Sequence, residues 1–184
     1  LFGTIFDRLF GDGKRSPVEI AQIGQKAENI YFGKPCGLMD QVACASGGAV
    51  AIDFKDPAQP LVRQVPFDPS LSGYALCVVD TGGSHADLTD EYAAVPAEMK
   101  AIAAHFGKTV LRDIGRSELI EAIPVLRQKA GDRAILRALH FLAENDRVDA
   151  MLSAITENHG AKTGEERQKS IEAFLSLVNE SGNS

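Results

Sequence analysis

The sequence predicts an α+β fold, on three observations. Three helical patterns and then two short β-rich runs fill roughly the first 70 residues; a strongly apolar run follows at 74–80; and from residue 88 onward every periodic pattern is helical. The only shift in pattern falls at residues 68–90, so two parts are expected, 1–70 with mixed elements and 71–184 mostly helical.

Phe2, Ile5, Phe6, Leu9 and Phe10 follow a helical apolar stripe from the start, as though the chain began inside an element. Ser16 precedes Pro17 and Glu19 in the pattern of a capping box with proline at the first helical position. Gly33 stands just past the end, so residues 17–32 are a predicted helix. After Gly33-Lys34-Pro35 a second helix is expected from Cys36 or Gly37 to Ser46-Gly47-Gly48. Residues 49–54 and 61–67 read as strands of a hairpin joined by a polar, proline-bearing loop. Tyr74 to Asp80 has the almost unbroken apolar character of a strand covered on both faces.

The helical half opens with the stripe Val95, Met99, Ile102, Ala103, Phe106, closed by Gly107; Pro96 must kink or start that helix, which places Tyr92 at or just before its beginning. Helices over 117–129 and from the N-cap Asp132 to about Asn158 come next, the latter with Ile135, Leu139, Leu142, Val148, Met151, Leu152 and Ile155 inward. A last helix through Ile171, Phe174, Leu175 and Val178 is expected to stop in the turn-like Asn179-Glu180-Ser181-Gly182-Asn183-Ser184. Both ends read as those of a piece of a longer protein.

Composition narrows the function classes. Nineteen basic against twenty-five acidic residues, a formal charge of −6, and no basic stripe argue against nucleic acid as a partner. The cysteines Cys36, Cys44 and Cys77 are an odd set without CxxC spacing, which suits a reducing cytoplasm rather than a disulfide framework or a zinc site. No apolar run approaches the roughly 18 residues of a membrane span. His85 and Asp87 lack a third metal ligand nearby, and GxxxxGK[ST] and GxSxG are absent. His140 reads as a structural histidine, and Cys36 and Cys44 as small buried hydrophobes.

One segment stands out, Gly33-Lys34-Pro35-Cys36-Gly37-Leu38-Met39-Asp40-Gln41. Asp40 falls in the first turn of its predicted helix, where unpaired N–H groups and the helix dipole favour a carboxylate able to take a hydroxyl proton. Gly37 removes a side chain where a ligand would need close approach, and Leu38 and Met39 are expected to anchor the turn in the core. From spacing alone the favoured reading of Asp40 is helix stabilisation, worth about 0.3–1 kcal/mol.

The stretch IGQKAENIYFGKPCGLMDQVACASGGAVAIDF, residues 23–54, closely resembles galactokinases of the GHMP small-molecule kinase superfamily, and the resemblance continues through 74–92, 136–148 and 177–184. It implies a GHMP kinase-like fold, with part of the N-terminal lobe and the helical part of the C-terminal lobe in this chain. It also implies transfer of the ATP γ-phosphoryl group, with magnesium, to the C1 hydroxyl of galactose. Asp40 matches the family's catalytic carboxylate, Gly37 the glycine whose backbone touches the sugar, and Tyr92 a tyrosine that contacts a sugar hydroxyl. Thr81 to His85 should pass near the same pocket.

Three family motifs have no counterpart here: the N-terminal galactose signature, the glycine-serine phosphate loop and the glycine-rich C-terminal segment. The nucleotide and magnesium sites are therefore expected outside this chain, which by itself should be inactive. Ala93-Ala94-Val95-Pro96 replaces the arginines that commonly follow the family's tyrosine, and Gly182 replaces a frequent histidine. The resemblance leaves open a kinase for a related sugar such as N-acetylgalactosamine, a galactokinase-like sensor acting through a protein partner, and a scaffold without ligand affinity. Strands left unpaired would invite self-association between copies.

Overall fold

In the computed structural model, Ser16 closes the capping box that the sequence predicts. Its hydroxyl accepts the Glu19 N–H at 3.2 Å, while Glu19 Oε2 accepts the Ser16 N–H at 2.7 Å, and Pro17 opens helix α2, Pro17–Tyr31. The structure describes residues 1–33, 36–80, 82 and 89–184, and these divide into two compact units, Leu1–Phe67 and Asp68–Ser184.

The first unit holds α1 (Phe2–Phe10), α2, α3 (Met39–Ser46) and an antiparallel hairpin of β1 (Ala49–Asp53) and β2 (Leu61–Val65), paired from Ala49 with Val65 to Asp53 with Leu61. Ala21 from α2 and Leu38 and Val42 around the start of α3 form its core, against which Ala45, Ile52, Phe54 and Val62 pack. The hairpin thus covers the α2–α3 pair. Gly47 and Gly48, at φ of 69° and 65°, turn the chain from α3 into β1 in a conformation that a residue with a Cβ resists. Helix α1 forms as the stripe predicts, yet its apolar face is open: Phe2, Phe6, Leu9 and Phe10 are exposed, and its buried side chain is Asp7.

The second unit is helical, with α4 (Thr89–His105), α5 (Arg116–Lys129), α6 (Gly131–Gly160) and α7 (Gly164–Gly182), preceded by a 3-10 turn at Pro69–Ser72. Ile102, Ala103, Leu111, Ile114, Leu119, Leu126, Ala134, Ile135 and Ala138 form one core. Burial of the leucine and isoleucine side chains among them contributes roughly 1.5–3 kcal/mol each. Glu98 on α4 ion-pairs with Arg137 of α6 at 2.8 Å, and Arg133 joins the same carboxylate. Asn158, buried near the end of α6, donates from Nδ2 to Arg167 O at 2.9 Å and to Ser72 Oγ and Ser170 Oγ at 3.1 Å, tying the 3-10 turn, α6 and α7 together.

Two expectations are corrected, on residues 74–80 and on Val95 and Val148. Residues 74–80 form no strand, and Leu76, Val78 and Val79 are exposed; a strand exists only through a neighbouring edge, and none among the described residues pairs with this run. Helix α7, opened by the capping box of Thr163 and Glu166, ends at Gly182, within the turn-like segment where the sequence expects it to stop. Of the two roles expected for Pro96, kinking or starting the helix, its place inside α4 removes the second; without an N–H it does not make the helical hydrogen bond to the carbonyl of residue 92. Val95 and Val148, expected inward, are exposed.

Candidate functional site

Helix α3 starts without the usual aid. Its N-cap is Leu38, whose side chain offers no oxygen, so only the backbone bond from Val42 N–H to Leu38 O, 3.0 Å, closes the first turn on that side. Asp40 sits in this first turn with its side chain exposed. Leu38 is buried and faces α2 with Val42 and Ala45, whereas Met39 is 61% exposed. The expected double anchor is therefore a single one. Residues 38, 42 and 45 share a helical face, and residue 39 is turned about 100° from it.

Gly37, one residue before the N-cap, is exposed; a Cβ built there would meet nothing within 4 Å among the described residues, and its φ is not positive. Neither packing nor backbone conformation demands glycine at this point, and its main chain is left open to approach.

Gly37 and Asp40 are thus brought into one turn of the first unit. Tyr92 belongs to the second, where it is the fourth residue of α4 with an exposed ring, inside the helix rather than at or before its beginning. Residues Thr81 and Gly83 to His85, Asp87, and Lys34 with Pro35 lie outside the described residues. Cys36 is partly buried, while Cys44 is exposed on α3 instead of buried, because the buried face of that short helix is already filled by Val42 and Ala45. His140 Nδ1 lies 2.8 Å from Ser184 Oγ. Among the described residues no three His, Cys, Asp or Glu side chains are placed to hold a metal ion.

Three residues that the sequence reading passed over surround Cys36. Asn29 Oδ1 accepts the Cys36 N–H at 2.9 Å, Gln25 Nε2 donates to the Cys36 carbonyl at 3.2 Å, and Gln41 Nε2 lies 3.5 Å from Cys36 Sγ. Gln25 and Asn29 are four apart and share one face of α2, the only signal that the sequence carried.

Residues 2–48 match the GHMP kinases N terminal domain. The chain is 35% identical over 140 residues to a galactokinase of Streptomyces coelicolor, covering 74% of this chain and 35% of that protein. It is 33% identical over 158 residues to a galactokinase of Actinobacillus pleuropneumoniae, covering 86% and 40%, and 32% identical over 166 residues to one of Mycobacterium tuberculosis, covering 89% and 41%. The chain therefore spans less than half the length of these curated relatives.

Proposed function

Because residues 2–48 match the GHMP kinases N terminal domain and the chain resembles galactokinases over most of its length, we propose that the protein carrying it transfers the γ-phosphoryl group of ATP to the C1 hydroxyl of galactose. In this reading residues 1–70 contribute to the N-terminal lobe of the enzyme and 71–184 to the C-terminal lobe. On the same reading the protein works in the cytoplasm, in keeping with three cysteines that lack CxxC spacing. The observation that carries the reading is the exposed carboxylate of Asp40 in the first turn of α3, within the stretch that aligns with the relatives.

Asp40 holds the C1 hydroxyl in line and accepts its proton as the oxygen attacks phosphorus. A group in that role typically supplies about 10²–10⁴ in rate. Gly37 offers uncovered main chain to the sugar, and the Tyr92 phenol hydrogen-bonds a sugar hydroxyl.

In this reading ATP and its magnesium ion are held by other parts of the protein, since the sequence carries no counterpart of the family's glycine-serine phosphate loop. When bound there, they supply the phosphoryl group and neutralise its charge.

The decisive experiment is galactose-dependent ADP release by the gene-encoded protein and its Asp40→Asn variant. A fall of about 10²–10⁴ in turnover with ATP binding retained is expected, and unchanged turnover removes Asp40 from the chemistry. Binding of both ligands without turnover in the unaltered protein would favour a sensor instead, and turnover only with N-acetylgalactosamine would change the acceptor alone.

A further inference from the structure

We propose that Asn29 and Gln25 are positioning residues for Asp40, acting through a clamp on the backbone of Cys36; this rests on the catalytic reading of Asp40 above. Cys36 lies outside any helix or strand, so no regular ladder fixes it. Its N–H is nevertheless held by Asn29 Oδ1 at 2.9 Å and its carbonyl by Gln25 Nε2 at 3.2 Å, both from the preceding helix. One residue thus has both of its peptide groups fastened to α2 by side chains. From the other direction Gln41 of α3 reaches back to the Cys36 sulfur, and the Oε1 of the same carboxamide is buried without a hydrogen-bond partner among the described residues.

The clamp matters because of what α3 lacks. The helix has eight residues, and its N-cap, Leu38, supplies no side-chain hydrogen bond. An uncapped end of so short a helix frays, and Asp40 is in the turn that frays first. Buried Leu38 and Val42 fix the face of α3 that meets the core, but they act on the opposite side of the turn from exposed Asp40. Fastening Cys36, two residues before the N-cap, fixes where the helix begins and holds the main chain of Gly37 open beside it. Catalysis by a carboxylate depends on such fixing, since a small misplacement of a base lowers the rate without removing the base.

Two measurements test the assignment. In the 184-residue chain, Asn29→Ala should speed amide hydrogen exchange at Cys36 and in the first turn of α3 by about two- to tenfold, the effect of one neutral hydrogen bond. Asn29→Asp, which keeps the accepting oxygen, should restore most of the protection. In the gene-encoded protein, Asn29→Ala and Gln25→Leu should each lower kcat for galactose by about two- to tenfold with the KM for ATP unchanged, and Asn29→Asp should recover it.

Unchanged exchange at Cys36 overturns the clamp. Faster exchange or a lower Tm with wild-type kcat and galactose KM overturns its positioning role, as does failure of folded Asn29→Asp to recover turnover. The Asp40→Asn control separates the two ideas. If that variant loses turnover while Asn29→Ala keeps it, only the positioning role fails; if Asp40→Asn keeps turnover, the catalytic reading fails and the positioning role with it.

Discussion

Arg15 Nη1 lies 2.7 Å from Asp7 Oδ1, and the Arg15 N–H donates to Asp7 Oδ2 at 3.3 Å, so one carboxylate answers both the charge and the backbone of the same residue. The Asp7 side chain is 5% exposed and that of Arg15 48%, which makes the pair buried on one side and hydrated on the other. The Asp7 carbonyl also accepts from Gly11 and Gly13 at 2.8 and 2.9 Å. Asp7 therefore organises the whole link between α1 and α2.

Asp7→Ala should destabilise the first unit by about 1–3 kcal/mol. That is less than the 3–5 kcal/mol or so of breaking a fully buried pair, because half of the Arg15 side chain is already in water. Gly11→Ala should act on the same pair, since its Cβ would come within 2.5 Å of Arg15 Nη1 and 2.6 Å of Asp7 Oδ1. Urea titrations followed by far-UV circular dichroism measure both, and a shift below about 0.5 kcal/mol for Asp7→Ala would mean that the pair is ornamental.

The two capping boxes make stability depend on acid. Glu19 is held below its ordinary value of 4.5 by the Ser16 N–H first and the Ser16 hydroxyl second, and Glu166 below the same value by the N–H groups of Lys162 and Thr163. A lowered folded value means that the contribution is whole above the unfolded value, near 4.5, and is lost as pH falls through the folded one. The starts of α2 and α7 should loosen over that acidic window. Glu19→Gln and Glu166→Gln should each flatten the pH profile of the melting temperature below 4.5.

Asn158→Leu should cost the second unit about 1–3 kcal/mol despite its added apolar surface. It leaves the buried Ser170 hydroxyl and the Arg167 carbonyl without the Nδ2 donor that now serves them. Asn158→Asp should be worse, because it sets a carboxylate oxygen against the Arg167 carbonyl, which has no proton to give. Thermal melts of the two variants against the parent give the ranking, and equal melts would show that the junction tolerates any side chain of this size.

Tyr92→Phe in the gene-encoded protein should raise the KM for the sugar by the loss of one hydrogen bond, about 0.5–1.5 kcal/mol, with kcat little changed. Steady-state kinetics on galactose measure this directly. An unaltered KM would return the phenol to the surface of α4, where Ala93 and Ala94 follow it in place of the family's arginines.

Local signals made much of the first unit readable. The bounds of α2 came from Ser16, Pro17, Glu19 and Gly33, all of which act within one or two turns of themselves, and the sequence expectation of 17–32 meets a helix over 17–31. The long helix α6 was readable from its period, as was its neighbour α5. What escaped notice depends on distance along the chain. Residues 74–80 have the composition of a strand, but pairing is a property of two segments. Asn158 looked like the tail of a helix because its partners lie at Ser72, Arg167 and Ser170.

The same division holds at the candidate site. Asp40 could be placed in a first turn from the sequence, and its chemistry then came from resemblance, since nothing in spacing separates a base from a helix-stabilising carboxylate. The Cys36 clamp was invisible because amide side chains on an amphipathic helix ordinarily face solvent. Only the fold shows that Gln25 and Asn29 face a loop instead.

The open aromatic side of α1 has a practical corollary for anyone handling the chain. Attraction between such surfaces weakens on cooling and strengthens with sulfate and phosphate salts. Preparations should accordingly keep better on ice in dilute chloride buffer than at bench temperature in ammonium sulfate, and an environment-sensitive dye should brighten against this side first.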